Sequence, residues 1–287
     1  MTETPGFRRV AILGTGLIGG SFALAVRRSI PEAFVVGWDR DRNALDRAMR
    51  RGAIHDVVVD VEIAVRAADL VYVSLPIGAV IEAIATVART VDPRALVTDS
   101  GSTKVAICRA AAEHFQGEAR FLGGHPMAGK EHSGIEHASV DLFQSAPYAL
   151  IANEDSPDER VRDFAKLICS FGARPVWCDA ETHDWSVGIV SHLPQLASVA
   201  LSRVIQDETD DAEFPLALAG QGLQDSLRLA GSPYNVWRDI VLTNTDNVAR
   251  ALDRLEQAIE HLRSNLRNKE LEQEFRAANE LYRQLKK

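Results

Sequence analysis

Apolar residues fall in short blocks through the first part of this 287-residue chain and in helical stripes through the rest. The blocks Val10–Leu13, Val35–Trp38, Leu70–Ser74, Leu96–Asp99, Arg120–Leu122, Tyr148–Ile151 and Pro175–Cys178 read as buried strands. Periodic segments between them read as helices beginning near Ile18, Arg42, Gly78, Thr103 and Pro157, the last with Ser156 as its cap. Alternation of this kind predicts an α/β domain over residues 1–179, a parallel sheet covered by helices. After Asp179 the strand-like blocks stop. Thr182–Glu208, Phe214–Ala230, Ser232–Arg267 and Lys269–Leu285 read as helices, so residues 180–287 are expected to form an all-helical domain. Pro194 lies inside the first of these and should bend it. The third carries an apolar stripe of Val236, Ile240, Val241, Val248, Leu252, Leu255, Ile259 and Leu262. A stripe that long must be buried against something, and a second copy of the chain is the favoured partner, giving a homodimer.

One strand end changes the picture. Val10–Leu13 runs straight into Gly14-Thr15-Gly16-Leu17-Ile18-Gly19, a G-x-G-x-x-G turn that opens a helix. Such a turn brings the backbone against a pyrophosphate and aims the helix N-terminus at it. Asp39 ends the second block, about 20 residues after Gly19, where the dinucleotide fold places its ribose-binding acid. A carboxylate there accepts from a ribose diol and repels a 2′-phosphate, so NAD is expected rather than NADP. The fold class is therefore Rossmann-type. Gly14, Gly16, Leu17, Ile18, Gly19 and Asp39, with Ser74, Leu75 and Pro76 at the end of the third block, form the expected cofactor set.

Charge and composition narrow the partners. The formal net charge of −8 disfavours nucleic acid and anionic membranes, and no apolar run is long enough to span a bilayer. The first residues lack the apolar core of a signal peptide, so a cytoplasmic protein is expected. Cys108, Cys169 and Cys178 have neither disulfide-framework nor metal-site spacing, and no metal is expected.

Ligands of open parallel sheets sit beyond the carboxyl ends of the strands, which selects a few residues for chemistry. His125 follows Gly123-Gly124 and precedes Pro126. It either takes a substrate proton or anchors its loop to the backbone. As a base it would give an activity that rises with pH through its titration and then levels. His192 and Gln195 lie three apart on an apolar helix, where they either line a polar cavity or satisfy each other. Arg228 is a candidate carboxylate clamp or an interhelical ion pair. Lys104 and Lys130 are the next candidates for that grip. Trp237 walls a pocket or anchors the core.

Together these segments resemble a known family. GTGLIGGS, DSGSTK (Asp99–Lys104), GGHPMAGKEHSG (Gly123–Gly134), SHLPQ (Ser191–Gln195) and QDSLRLAGSPYNVWRDI occur in the order seen in the prephenate/arogenate dehydrogenases of tyrosine biosynthesis. The resemblance implies NAD-dependent oxidative decarboxylation of a cyclohexadiene acid, and it implies roles. Ser102 would orient the substrate hydroxyl and the imidazole, and His125 would accept the hydroxyl proton. Ser191, His192 and Gln195 would line the cavity, Arg228 would hold the ring carboxylate, Trp237 would pack nearby and Glu131 would sit at the mouth. Some relatives carry a second histidine at the position of Gln195 and a small hydroxyl residue at that of Lys130. Lys130 favours the anionic side chain of prephenate, whereas Glu131 suits the ammonium of arogenate. No additional mutase or regulatory module is expected. A β-hydroxyacid dehydrogenase would present a catalytic lysine on the helical domain where this chain has Ser191, His192 and Gln195. A non-catalytic dinucleotide sensor would need no polar pocket.

Overall fold

The structure is a computed structural model that describes residues 6–117, 119–130, 132–152, 158–209, 214–267 and 271–286. Its first part is an eight-stranded sheet: β1 (Arg9–Leu13), β2 (Phe34–Trp38), β3 (Asp56–Val57), β4 (Leu70–Val73), β5 (Leu96–Asp99), β6 (Arg120–Pro126), β7 (Pro147–Ile151) and β8 (Arg174–Cys178). The order across the sheet is β3-β2-β1-β4-β5-β6-β7-β8. Helices α1 (Leu17–Ser29), α2 (Arg42–Arg50), α3 (Val61–Arg66), α4 (Ile77–Thr90), α5 (Val105–His114) and α6 (Glu159–Ser170) cover it. One apolar cluster packs around Phe22, Tyr72 and Phe164, and another around Val71, Val80 and Ile107. The strand order reverses between β1 and β4, which places a crevice at their carboxyl ends.

Three features depart from the sequence expectation. First, the sheet is not wholly parallel, because β7 runs antiparallel to β6, with His125 opposite Ala149. Among the described residues, the connection between them holds one 3₁₀ turn, Ile135–His137, and no crossover helix, which a parallel return needs. Second, β3 and α3 went unpredicted, being too short to show a period. Third, the helix expected from Pro157 begins at Glu159, capped by Asp158, whose side chain accepts from the Arg160 N–H. Ser156 and Pro157 lie outside the described residues.

Beyond Cys178 the described residues are helical. α7 (Ala180–Val187) passes through a π-helical turn, Gly188–His192, into α8 (Leu193–Thr209). The N–H of Leu193 bonds to the Gly188 carbonyl, a five-residue step. The widened turn absorbs the donor that Pro194 lacks, so the expected bend takes the form of a local π turn. α9 (Phe214–Ala217) and α10 (Gln221–Leu227) follow, then a 3₁₀ turn, Arg228–Gly231. The long third helix is broken at Asn244 into α11 (Tyr234–Thr243) and α12 (Thr245–Ser264), and α13 (Leu271–Leu285) closes the chain. The break divides the apolar stripe. Ile240 packs into the cluster around Val71, whereas Leu252, Ile259 and Leu262 remain exposed. No helix among the described residues is long and apolar enough to cross a membrane.

Candidate active site

The glycine turn is built from backbone contacts. Gly14 has φ +94°, and a Cβ there would lie 2.1 Å from the Ser74 carbonyl oxygen on the neighbouring strand end. A Cβ on Gly19 would lie 1.9 Å from the Gly14 carbonyl oxygen, so α1 sits directly on the turn. Gly16 is different, since an added Cβ meets nothing within 4 Å. The space above Gly16 is open, and no side chain caps the α1 N-terminus or places an acid in its first turn. This is the cradle a pyrophosphate needs, with N–H groups unclaimed and backbone bare.

Asp39 does more than the sequence suggested. Its Oδ2 accepts from the Thr15 N–H at 2.7 Å and from Thr15 Oγ1 at 3.1 Å, and its Oδ1 accepts from the Asp41 N–H at 2.9 Å. The carboxylate thus locks the glycine turn to the end of β2 and places negative charge there.

From this turn a hollow of about 400 Å³ extends past Leu17, Ile18, Ser74, Leu75 and Pro76 to Ser102 and Lys130. It adjoins a second hollow of about 720 Å³, the two sharing Ser102, Lys130, His132 and Ile240 as walls. The larger one is lined by His125 from β6, Ser191 and His192 from the π turn, Arg228 from the 3₁₀ turn, and Trp237 from α11. Residues from the sheet and from the helical part therefore meet in one space within a single chain. Glu131 lies outside the described residues. Gln195 requires a correction. It is buried, does not line either hollow, and its Nε2 donates to the Leu229 carbonyl at 2.8 Å. It anchors the turn that carries Arg228. Lys104 is also corrected as a carboxylate grip. Its side chain is wholly buried, ion-paired with Asp99, and donates to the Gly124 carbonyl at 2.8 Å. Asp99 in turn accepts from the N–H groups of Gly101 and Gly124, so Gly124, the residue before His125, is held at both its N–H and its carbonyl.

Sequence reasoning missed the two residues behind His125. Nδ1 of His125 lies 2.9 Å from Nε2 of His183, and Nδ1 of His183 lies 2.7 Å from Oδ1 of Asp184. Both new residues stand on α7, just past the last strand. Asp184 also accepts from the Lys104 and Val105 N–H groups at 2.6 and 2.9 Å, capping α5. This relay orders the ring protons. A carboxylate only accepts, so His183 carries its proton on Nδ1. In the neutral form of that ring Nε2 is an acceptor, and His125 donates to it through Nδ1–H. His125 is left with a bare lone pair on Nε2. Burial, with His183, Lys104 and His192 nearby, holds the His125 imidazole well below its ordinary value. It is neutral at neutral pH, as a proton acceptor must be. The only hint in the sequence was a histidine–acid pair where the chain leaves the sheet.

Comparisons with known proteins identify the family. The family profile described as prephenate dehydrogenase, nucleotide-binding domain, matches residues 22–177, and that described as prephenate dehydrogenase, dimerization domain, matches residues 179–286. The prephenate dehydrogenase of Lactococcus lactis is 34% identical over 89% of this chain and 69% of its own length. The crystal structure of Aquifex aeolicus prephenate dehydrogenase in complex with hydroxyphenyl propionate and NAD+ superposes with a TM-score of 0.84 at 27% identity, covering 99% of this chain and 98% of that one. Synechocystis arogenate dehydrogenase superposes with a TM-score of 0.76 at 27% identity over 96% of both chains. This chain belongs to the prephenate dehydrogenase family.

Proposed function

We propose that this chain carries out NAD-dependent oxidative decarboxylation of prephenate to 4-hydroxyphenylpyruvate, a step of tyrosine biosynthesis. The observation that carries the reading is the shared hollow, in which a neutral imidazole and a guanidinium, His125 and Arg228, line one space contiguous with the glycine turn. Gly14, Gly16, Leu17, Ile18 and Gly19 would cradle the cofactor, Asp39 would hold its adenosine ribose, and Ser74, Leu75 and Pro76 would flank it. Bound NAD supplies the hydride acceptor for C4 of the ring. His125 Nε2 takes the C4 hydroxyl proton, and the His183–Asp184 chain stabilises the resulting imidazolium. Ser102, between the two hollows, orients the hydroxyl. Arg228 grips the ring carboxylate. Once C4 is a ketone, that carboxylate belongs to a vinylogous β-keto acid and leaves as carbon dioxide while the ring aromatises. The protein supplies a base, alignment and a grip, with little acid catalysis required. Residues 1–179 form the dinucleotide-binding domain and 180–287 the helical domain, and the protein works as a soluble cytoplasmic enzyme.

Lys130 lines both hollows, and its Nζ donates to the His137 carbonyl at 2.7 Å. A cation there suits the keto-acid side chain of prephenate. The similarity to an arogenate dehydrogenase, with Glu131 next in sequence, supports arogenate as a second substrate. Comparing kcat/KM for the two compounds tests the assignment. Prephenate is expected to be the better substrate, and turnover of neither overturns the reading.

Two further outcomes follow. Arg228→Gln raises KM for prephenate, with a smaller change in kcat, because the grip is made both before and during reaction. An unchanged KM shows that the carboxylate is held elsewhere. The pH profile of kcat/KM is level across the neutral range, and its acid limb lies well below pH 6.5, because protonation removes the Nε2 lone pair only at the depressed value. This moves the limb from the near-neutral position expected of an ordinary imidazole. A limb centred at 6.5 or above contradicts a buried His125 base.

The helical part leaves Phe214, Leu218, Leu252, Ile259, Phe275 and Leu285 exposed. A second copy covers this surface, in keeping with the family profile over residues 179–286. Light scattering is expected to give twice the 31.4 kDa chain mass. A monomer at micromolar concentration contradicts the dimer.

A further inference from the structure

Asn244, at the break between α11 and α12, is 4% exposed, and its amide is fully engaged. Nδ2 donates to the Asp184 carbonyl at 2.7 Å and lies 3.1 Å from Nδ1 of His192, while Oδ1 accepts from Asn247 Nδ2 at 2.7 Å. The Asp184 carbonyl can only accept, which identifies the amide end facing it as the NH2. That NH2 can only donate, so His192 Nδ1 is an acceptor and the single proton of the neutral ring sits on Nε2. Close approach is possible because residue 188, in the π turn, is glycine. A Cβ there would lie 3.2 Å from Asn247 Cβ and 3.6 Å from Asn244 Nδ2. His192 lines the larger hollow with Trp237 edge-on, and no hydrogen bond to its Nε2 is found among the described residues. Burial pushes its imidazole down to about 4, so the ring is neutral in the working range.

The hollow therefore holds two neutral imidazoles of opposite polarity. His125 presents a lone pair and His192 presents an N–H. We propose that Asn244 is a positioning residue that fixes His192 as a hydrogen-bond donor to an acceptor oxygen of the bound substrate, a carboxylate or the forming ketone, leaving proton abstraction to His125 alone. The proposal rests on reading this hollow as the substrate site. Were the His192 proton on Nδ1, a lone pair would face the substrate's anionic oxygens, and two bases would compete for one hydroxyl proton. The sequence pattern gives no sign of this role, since Asn244 sits in the middle of what reads as one helix.

The test combines a spectroscopic readout with a mutant cycle. In protein labelled with ¹⁵N-histidine, His192 is expected to show protonated Nε2 and bare Nδ1. A proton on Nδ1 in the wild-type protein overturns the proposal without recourse to any variant. Asn244→Asp places an acceptor-only group against Nδ1 and draws the proton there. Its kcat/KM for prephenate is expected to fall roughly 10–100-fold, the usual cost of facing a buried polar group with the wrong partner. In a His192→Gln background the side-chain amide nitrogen takes the place of Nε2 and donates whatever stands at 244. Adding Asn244→Asp there should cost clearly less than it does in the wild-type background, the remainder being the lost bond to the Asp184 carbonyl. An equal loss in both backgrounds means that Asn244 acts on the fold rather than through His192, and overturns the proposal. Wild-type protein with the Nε2 proton in place but no prephenate turnover would overturn the substrate reading instead, while still supporting the hold of Asn244 on His192.

Discussion

His125→Asn is expected to lower kcat about 10²–10⁴-fold, the worth of a positioned acid–base group, with NAD affinity unchanged. Asparagine is the informative replacement. Its amide nitrogen stands where Nδ1 stood and can still donate to His183 Nε2, so the chain through His183 to Asp184 keeps its polarity. What is lost is the lone pair at Nε2. The glycine turn that cradles the cofactor lies at the end of β1, apart from β6, and is untouched. Steady-state kinetics with prephenate and calorimetric titration of NAD measure the two halves of the prediction. Near-normal turnover would end the assignment of His125 as the base. Parallel loss of NAD affinity would show that the substitution disturbs the sheet rather than the chemistry.

Lys104→Met is expected to destabilise the fold by about 3–5 kcal/mol, the usual cost of removing one partner from a buried ion pair. Both side chains are wholly buried. Methionine fills much of the volume but leaves the Asp99 carboxylate, among the described residues, with the Gly101 and Gly124 N–H groups as its hydrogen-bond donors. The Gly124 carbonyl loses its donor as well, and that peptide leads directly into His125. Urea unfolding measures the loss. Adding Asp99→Asn should recover part of it, because the stranded charge is gone while an acceptor for the backbone remains. A single variant within about 1 kcal/mol of wild type would mean that Asp99 is satisfied without the lysine.

Much of this molecule is legible along the chain because it follows from local pattern. The apolar blocks predict seven of the eight strands, and the glycine turn with Asp39 locates the crevice between β1 and β4. What escaped depends on contacts between distant residues. His183 lies 58 positions from His125 and reads as an ordinary polar residue in the first turns of a helix. Lys104 ends a polar loop and looks exposed. Only the packing of β5, β6 and α5 shows that it is sealed against Asp99. The polar character of Gln195 within an apolar helix announced a partner without saying which, and that partner is a backbone carbonyl rather than a ligand. The direction of β7 was hidden because strand patterns carry no polarity. The break at Asn244 falls in Thr243-Asn244-Thr245-Asp246-Asn247, a run of weak helix formers, but the apolar stripe continues across it and hides it.

The decisive measurement is a crystal structure with NAD and a non-reactive prephenate analogue. The C4 oxygen is expected within about 2.6–3.2 Å of His125 Nε2 and the ring carboxylate on the Arg228 guanidinium, both in the hollow that adjoins the glycine turn. An analogue bound with its C4 oxygen away from His125, or with its ring carboxylate held by other groups, would contradict that placement.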